Sequence, residues 1–272
     1  MNTDAPPQGG VFLFTIPKGI IMKKIAIYGK GGIGKSTTVS NMSAALAGQG
    51  LTVMQVGCDP KADSTISLRM GKPLTPVLDI YREKVKAITL EDMYIRGYNG
   101  VICVEAGGPT PGIGCAGRGV AKALELLKEK GAGDILKPDV VFFDVLGDVV
   151  CGGFSMPLRR DFTDQVFVVS SGEQMAIHAA MNLGLAMDNF KRRGHNGLAG
   201  IIGNKRNVPD EEKKLYQLSE DLECPIVHML EYSETVKKAS DMGLTVSQAF
   251  PGDPAAQDYL ALAYKLMGTA NA

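Results

Sequence analysis

A strand, a glycine-rich turn and a helix follow one another at residues 24–47, and few folds accept that succession. Lys24-Ile25-Ala26-Ile27-Tyr28 reads as a short buried strand, and residues 37–47 read as a helix. Between them, Gly29-Lys30-Gly31-Gly32-Ile33-Gly34-Lys35-Ser36 satisfies G-x-x-x-x-G-K-[ST], the phosphate-binding P-loop. Its glycines let the backbone curl so that successive N–H groups point inward, and the helix start at Thr37 adds positive potential. Lys35 is placed to reach β- and γ-phosphates, and the Ser36 hydroxyl to ligate Mg²⁺. Lys30 is surplus to that cradle. It marks a subclass in which two subunits face each other and this lysine reaches the partner's nucleotide.

The rest of the chain supplies more strands of the same kind. Residues 51–57, 101–105, 140–144, 165–169 and 200–204 are nearly continuous apolar runs, and residues 119–130, 175–191, 211–222 and 258–267 have helical spacing. Such alternation predicts an α/β fold: a single P-loop NTPase domain with a mostly parallel sheet and helices on both faces. No linker or repeat divides residues 22–272. Residues 1–21 read as an extension, disordered or an upstream misassigned start, because Met22 directly precedes the first strand. Its apolar run at residues 11–16 is far too short to span a bilayer and lacks a basic start. A formal net charge of zero over 272 residues, with no basic run, gives no electrostatic case for nucleic acid.

In such folds ligands gather at the carboxyl ends of the strands. Asp144 follows four apolar strand residues, as a Walker-B acid should, and is expected to hold the Mg²⁺ shell. Asp148 follows it closely, and Asp59 and Asp63 follow the strand ending near Gly57. A carboxylate there can orient the attacking water or reach Mg²⁺ through water. The plainer reading of each acid is a helix cap or a solvated turn.

Five cysteines are an odd number for a disulfide framework, and reduced thiols place the chain in the cytoplasm. Cys103 and Cys224 read as small core hydrophobes, and Cys58 as core with an open role beside the nucleotide. Cys115 and Cys151 differ, lying in Gly114-Cys115-Ala116-Gly117 and Cys151-Gly152-Gly153. Glycine beside a thiolate lets backbone N–H groups approach sulfur. A cubane needs four thiolates, which two chains would supply. Spacing alone leaves a shared cluster and ordinary glycine-rich loops both open.

Residues 24–267 resemble the nitrogenase iron protein and its relatives, the ATP-dependent reductases of nitrogenase-like systems. The resemblance rests on the P-loop through Thr38, on Cys58-Asp59-Pro60-Lys61-Ala62-Asp63-Ser64-Thr65, on Val104-Glu105-Ala106-Gly107-Gly108-Pro109, on Gly114-Cys115-Ala116-Gly117-Arg118-Gly119, and on the run from Phe143 through Asp144, Asp148 and Cys151 to Phe154. Partition and division-site ATPases share the P-loop but lack the two glycine-framed cysteines; a cluster-free switch of that type is the alternative. The resemblance implies a homodimer with one [4Fe–4S] cluster held by Cys115 and Cys151 of each chain. It implies MgATP bound by Gly29 to Thr37, with Lys30, Lys35, Asp59 and Asp148 in hydrolysis and signalling and Asp63 nearby. It also implies single-electron delivery from a low-potential donor, such as ferredoxin or flavodoxin, to a nitrogenase-like catalytic component. Arg118 would face that component (or be a solvated arginine at a helix start), and Asn204 would contact adenine. Three departures stand out. The tail ends soon after Met267. The stretch at residues 227–232 lacks the usual Pro and Asp. Arg118 is unlike the protochlorophyllide reductase motif. The expected partner therefore need not fix nitrogen; nickel-tetrapyrrole and methylthio-alkane reduction are the other possibilities.

Overall fold

Apolar runs with no polar face can be satisfied only in the middle of a layered structure, and that is where they lie. The computed structural model describes residues 22–108, 116–147 and 155–268. Its strands are β1 (Lys23–Gly29), β2 (Val53–Cys58), β3 (Ile95–Arg96), β4 (Ile102–Glu105), β5 (Val140–Val145), β6 (Gln165–Ser170), β7 (Gly200–Asn204) and β8 (Ile226–Leu230). They form one sheet in the order β3-β4-β2-β5-β1-β6-β7-β8. Every pairing is parallel except the short edge pair of β3 with β4.

Alternation within each strand feeds two cores. Ile25 and Ile27 of β1 and Phe142 of β5 face one side. There they meet α1 (Lys35–Gly48) through Val39, Met42 and Leu46, and α9 (Pro254–Met267) through Leu262 and Leu266. Ala26, Tyr28 and Phe143 face the other side, against α3 (Ala116–Glu129) through Leu124 and Leu127 and α5 (Gln174–Lys191) through Leu183 and Met187. Each of the Ile, Leu, Val, Met and Phe side chains among them contributes about 1.5–3 kcal/mol on burial, so register errors along β1 are costly on both faces.

The shorter helices α2 (Val77–Lys84), α4 (Ala132–Leu136), α6 (Glu211–Asp221), α7 (Glu234–Asp241) and α8 (Val246–Ala249) complete the layers. The expected strands and long helices are present, with shifted ends. α9 begins at Pro254 rather than 258, because Asp253 accepts a hydrogen bond from the Ala255 amide (2.9 Å) and proline suits the first helical position. α1 begins at Lys35, two residues early, on the left-handed backbone of Gly34 (φ 91°). Among the described residues no helix is long and apolar enough to cross a membrane.

Candidate nucleotide and electron-transfer site

The carboxyl ends of β1, β2, β4 and β5 meet on one edge of the sheet. Ile27 of β1 and Gly57 of β2 are both in register with Asp144 of β5, and Gly57 is in register with Glu105 of β4. Two acids and two strand ends thus share one rung, directly beside the P-loop.

The loop itself is open to an anion. No side chain caps the N-terminus of α1, and its first turn carries no acid. Amides of a fourteen-residue helix therefore face out of the loop toward the place a phosphate would occupy. Lys35 is buried and forms an ion pair with Asp144 Oδ1. Ser64 Oγ donates to Asp144 Oδ2 at 2.5 Å. A buried lysine held by a buried Walker-B acid fits an MgATP site: polyphosphate competes for the ammonium, and the released carboxylate can hold the Mg²⁺ shell. Ser36 is half-buried in the same turn, and Lys30 is half-buried beside Gly147, Met175 and His178 in a cleft of about 280 Å³.

Asp59 and Asp63 occupy the exposed segment after β2, where Asp59 accepts from the Lys61 amide at 2.9 Å. Asn204 at the end of β7 donates to the Ile33 carbonyl (2.7 Å) and lines a cleft of about 460 Å³ with Thr37, Tyr232, Lys237 and Tyr259. That volume suits a nucleobase and ribose. Arg206 was not anticipated: its guanidinium donates to the Gly32 carbonyl at 2.6 Å and braces the P-loop from the same strand end. Its only sequence signal is its place two residues after Asn204.

Buried Gln55 organises the neighbouring segment. It accepts from Ser43 and donates to the Ser64 carbonyl and hydroxyl (3.0 Å each) and to Ser40 (3.1 Å). Glu105 is also enclosed; burial lifts its carboxyl to about 7, more than its Thr65 bonds and nearby Arg69 bring it down. In the sequence Glu105 stands out only as a strand end within the motif of residues 104–109.

Cys115, Asp148 and Cys151 lie outside the described residues. The other three cysteines are buried as expected for core. Burial pushes the Cys103 thiol up to about 12 and the Cys224 thiol to about 11, and burial beside Asp144 and Glu105 raises Cys58 further still. Thiols held protonated are poor metal ligands. Among the described residues no three His, Cys, Asp or Glu side chains gather into a metal cage. Among the described residues the donor chemistry therefore offers no cluster site. Arg118 is exposed on the first turn of α3.

The model of the 4Fe-4S iron sulfur cluster binding proteins, NifH/frxC family, matches residues 23–271. The chain belongs to that family. It is 47% identical over 257 residues to nitrogenase iron protein 2 of Methanothermococcus thermolithotrophicus, spanning 90% of this chain and 88% of that protein. It is 45% identical over 249 residues to the nitrogenase iron protein of Methanospirillum hungatei, with the same coverage of each. Family membership at this identity makes the chain an ATP-dependent, ATP-hydrolysing iron–sulfur reductase component, with a [4Fe–4S] cluster and MgATP as cofactors. Among solved structures, the Pyrococcus furiosus cell division ATPase MinD is similar at TM-score 0.67 and 19% identity, covering 91% of this chain and 99% of that one. That likeness shows the fold alone and does not favour a cluster-free switch.

Proposed function

We propose that residues 22–272 form the working unit, and that two copies hold one [4Fe–4S] cluster between Cys115 and Cys151 of each. Bound there, the cluster supplies a one-electron store. A low-potential donor such as ferredoxin or flavodoxin loads it in the cytoplasm. A nitrogenase or nitrogenase-like catalytic component receives the electron, and Arg118, exposed at the start of α3, offers that component a cationic contact. The relatives named nitrogenase iron protein support a partner of this class. Met175, exposed at the start of α5 beside Lys30, supports a facing subunit there.

The observation that carries this reading is the buried Lys35–Asp144 pair. Lys35 cannot serve the β- and γ-phosphates and Asp144 equally, so nucleotide entry must redistribute its contacts. Ser36 and the freed Asp144 carboxylate hold Mg²⁺. Amides of Gly31 to Thr37 bind phosphate oxygens, Gly29 gives room for the turn, and Asn204 orients the base. Lys30 neutralises charge on the facing subunit's nucleotide. Asp59 would orient the attacking water, and Asp63 would serve the outer shell of the Mg²⁺. Asp148 passes the change from Asp144 toward Cys151.

Iron analysis of the anaerobically purified protein tests this. It should give about four Fe per dimer, the content of one cubane. Cys115→Ser or Cys151→Ser should lose the iron, while Cys103→Ser and Cys224→Ser keep it. A monomeric, iron-free protein from iron-replete cells would overturn the proposal. The component that co-purifies anaerobically identifies the final substrate.

A further inference from the structure

Glu105 is a buried acid that the nucleotide chemistry above does not use. Its Oε1 accepts two hydrogen bonds from Thr65, from the amide at 2.7 Å and the hydroxyl at 2.6 Å. Its Oε2 has no hydrogen-bond partner among the described residues. That oxygen is pressed under Gly57, where an added Cβ would fall 2.0 Å from it. Arg69 stands 3.9 Å from Oε1; its Nη2 donates to the Ala62 carbonyl, and its Nε has no partner among the described residues. Leaving such groups unmade costs about 1–3 kcal/mol each, so the arrangement is not one that packing alone would select.

The same two segments touch again further on. A Cβ at Gly108 would lie 2.6 Å from Cβ of Pro60, so Gly108 rests directly on the residue next to Asp59. In sequence, residues 105–108 lead to Cys115, ten residues after Glu105. Ser64, the neighbour of Thr65, donates to Asp144. A continuous buried chain therefore runs from Lys35 through Asp144, Ser64 and Thr65 to Glu105.

We infer that Glu105 is a positioning residue that, through Thr65, couples the nucleotide site to the strand end leading to Cys115. This rests on the reading that Asp144 answers MgATP and Cys115 holds the cluster. When Lys35 turns to phosphate, Asp144 rebalances and Ser64 moves with it. Thr65, the next residue, carries that shift to Glu105, since both its donors end on one oxygen. The unpartnered Oε2 and the unpartnered Arg69 Nε supply the second arrangement, in which the carboxylate turns toward Arg69. Two discrete arrangements of one element, biased from one end, are what physical coupling requires.

The test uses the cluster-loaded protein under anaerobic conditions. Iron release to 2,2′-bipyridine is followed with and without MgATP, together with iron content and MgATP affinity. Thr65→Val and Glu105→Gln should keep their iron and their MgATP affinity. Their MgATP-stimulated release should slow by about tenfold, within the range of coupling between linked sites. Thr65→Ser, which restores the hydroxyl, should restore the rate. Wild-type rates in both variants, with iron and affinity intact, would overturn the inference. If the variants lose iron, hydrogen–deuterium exchange on the wild type decides: MgATP should change protection at residues 102–108, and unchanged protection there overturns the coupling. A wild-type protein with bound iron but no MgATP-stimulated release would instead sink the proposed function itself.

Discussion

Replacing Glu105 with Gln should make stability less sensitive to rising pH. The enclosed carboxyl titrates near 7 in the folded protein instead of its ordinary 4.5, chiefly because burial disfavours its charge. Between those values the folded protein holds more protons than the unfolded chain, so stability falls as pH rises through that window. One pKa unit corresponds to about 1.4 kcal/mol, which puts the full loss above neutrality on the order of 3 kcal/mol. Between about pH 6 and about pH 8.5 the share still to be lost is about 1.4 kcal/mol, or roughly 3–6 °C in melting temperature. Glutamine keeps the Oε1 acceptor for Thr65 and removes the charge. Its amide nitrogen enters the same tight space under Gly57, and whatever that costs does not vary with pH. Anaerobic melting followed by circular dichroism at matched scan rates gives the difference between variant and wild type. That difference should move in the variant's favour by the stated amount as pH rises. A constant difference, or one moving the other way, would refute the assignment of a buried, charge-averse carboxyl.

Two further outcomes follow from the loop. Lys35→Gln keeps a donor for Asp144 and removes the charge; equilibrium dialysis should show MgATP binding lost while iron content is unchanged. Gly147→Ala would bring a methyl within 2.5–2.7 Å of the backbone N, C and O of Gly29, atoms that cannot swing aside. It should cost about 1–3 kcal/mol, as overpacking does, seen as a lower melting temperature. An unchanged melting temperature would mean that the 147 backbone does not sit against the P-loop.

The fold and the phosphate cradle were legible because their signals are local. A P-loop is eight consecutive residues, and a strand buried on both faces is a run of apolar ones. Strand ends were legible to within a few residues, and the slips at α1 and α9 came from caps: glycine in a left-handed turn at one, Asp253 with Pro254 at the other. What was not legible is what register decides. Glu105 and Thr65 are forty residues apart, and only the alignment of β4 with β2 brings them together. Arg206 reaches Gly32 across 174 residues for the same reason, since β7 and β1 flank β6 in the sheet. The three core cysteines were readable from their apolar neighbours alone, because a buried thiol asks only for volume.

A scaffold shared with MinD at 19% identity leaves open what nucleotide binding is connected to. In this chain the connection is set by what lies beyond Asp144. Along the chain, seven residues separate it from Cys151, at most roughly 25 Å of extended backbone. Across the sheet, Ser64, Thr65 and Glu105 carry it to the strand end that leads to Cys115. One buried carboxylate thus stands at the root of both cysteine-bearing segments. In the proposed mechanism phosphate competes for its ion pair with Lys35, so a single exchange of partners would act on both segments at once. In the proposed dimer, with two thiolates from each chain on the cluster, moving both segments together would shift all four ligands in concert. The proposed cross-sheet link through Glu105 would let one exchange of partners at Asp144 reach the Cys115 segment as well as the Cys151 segment.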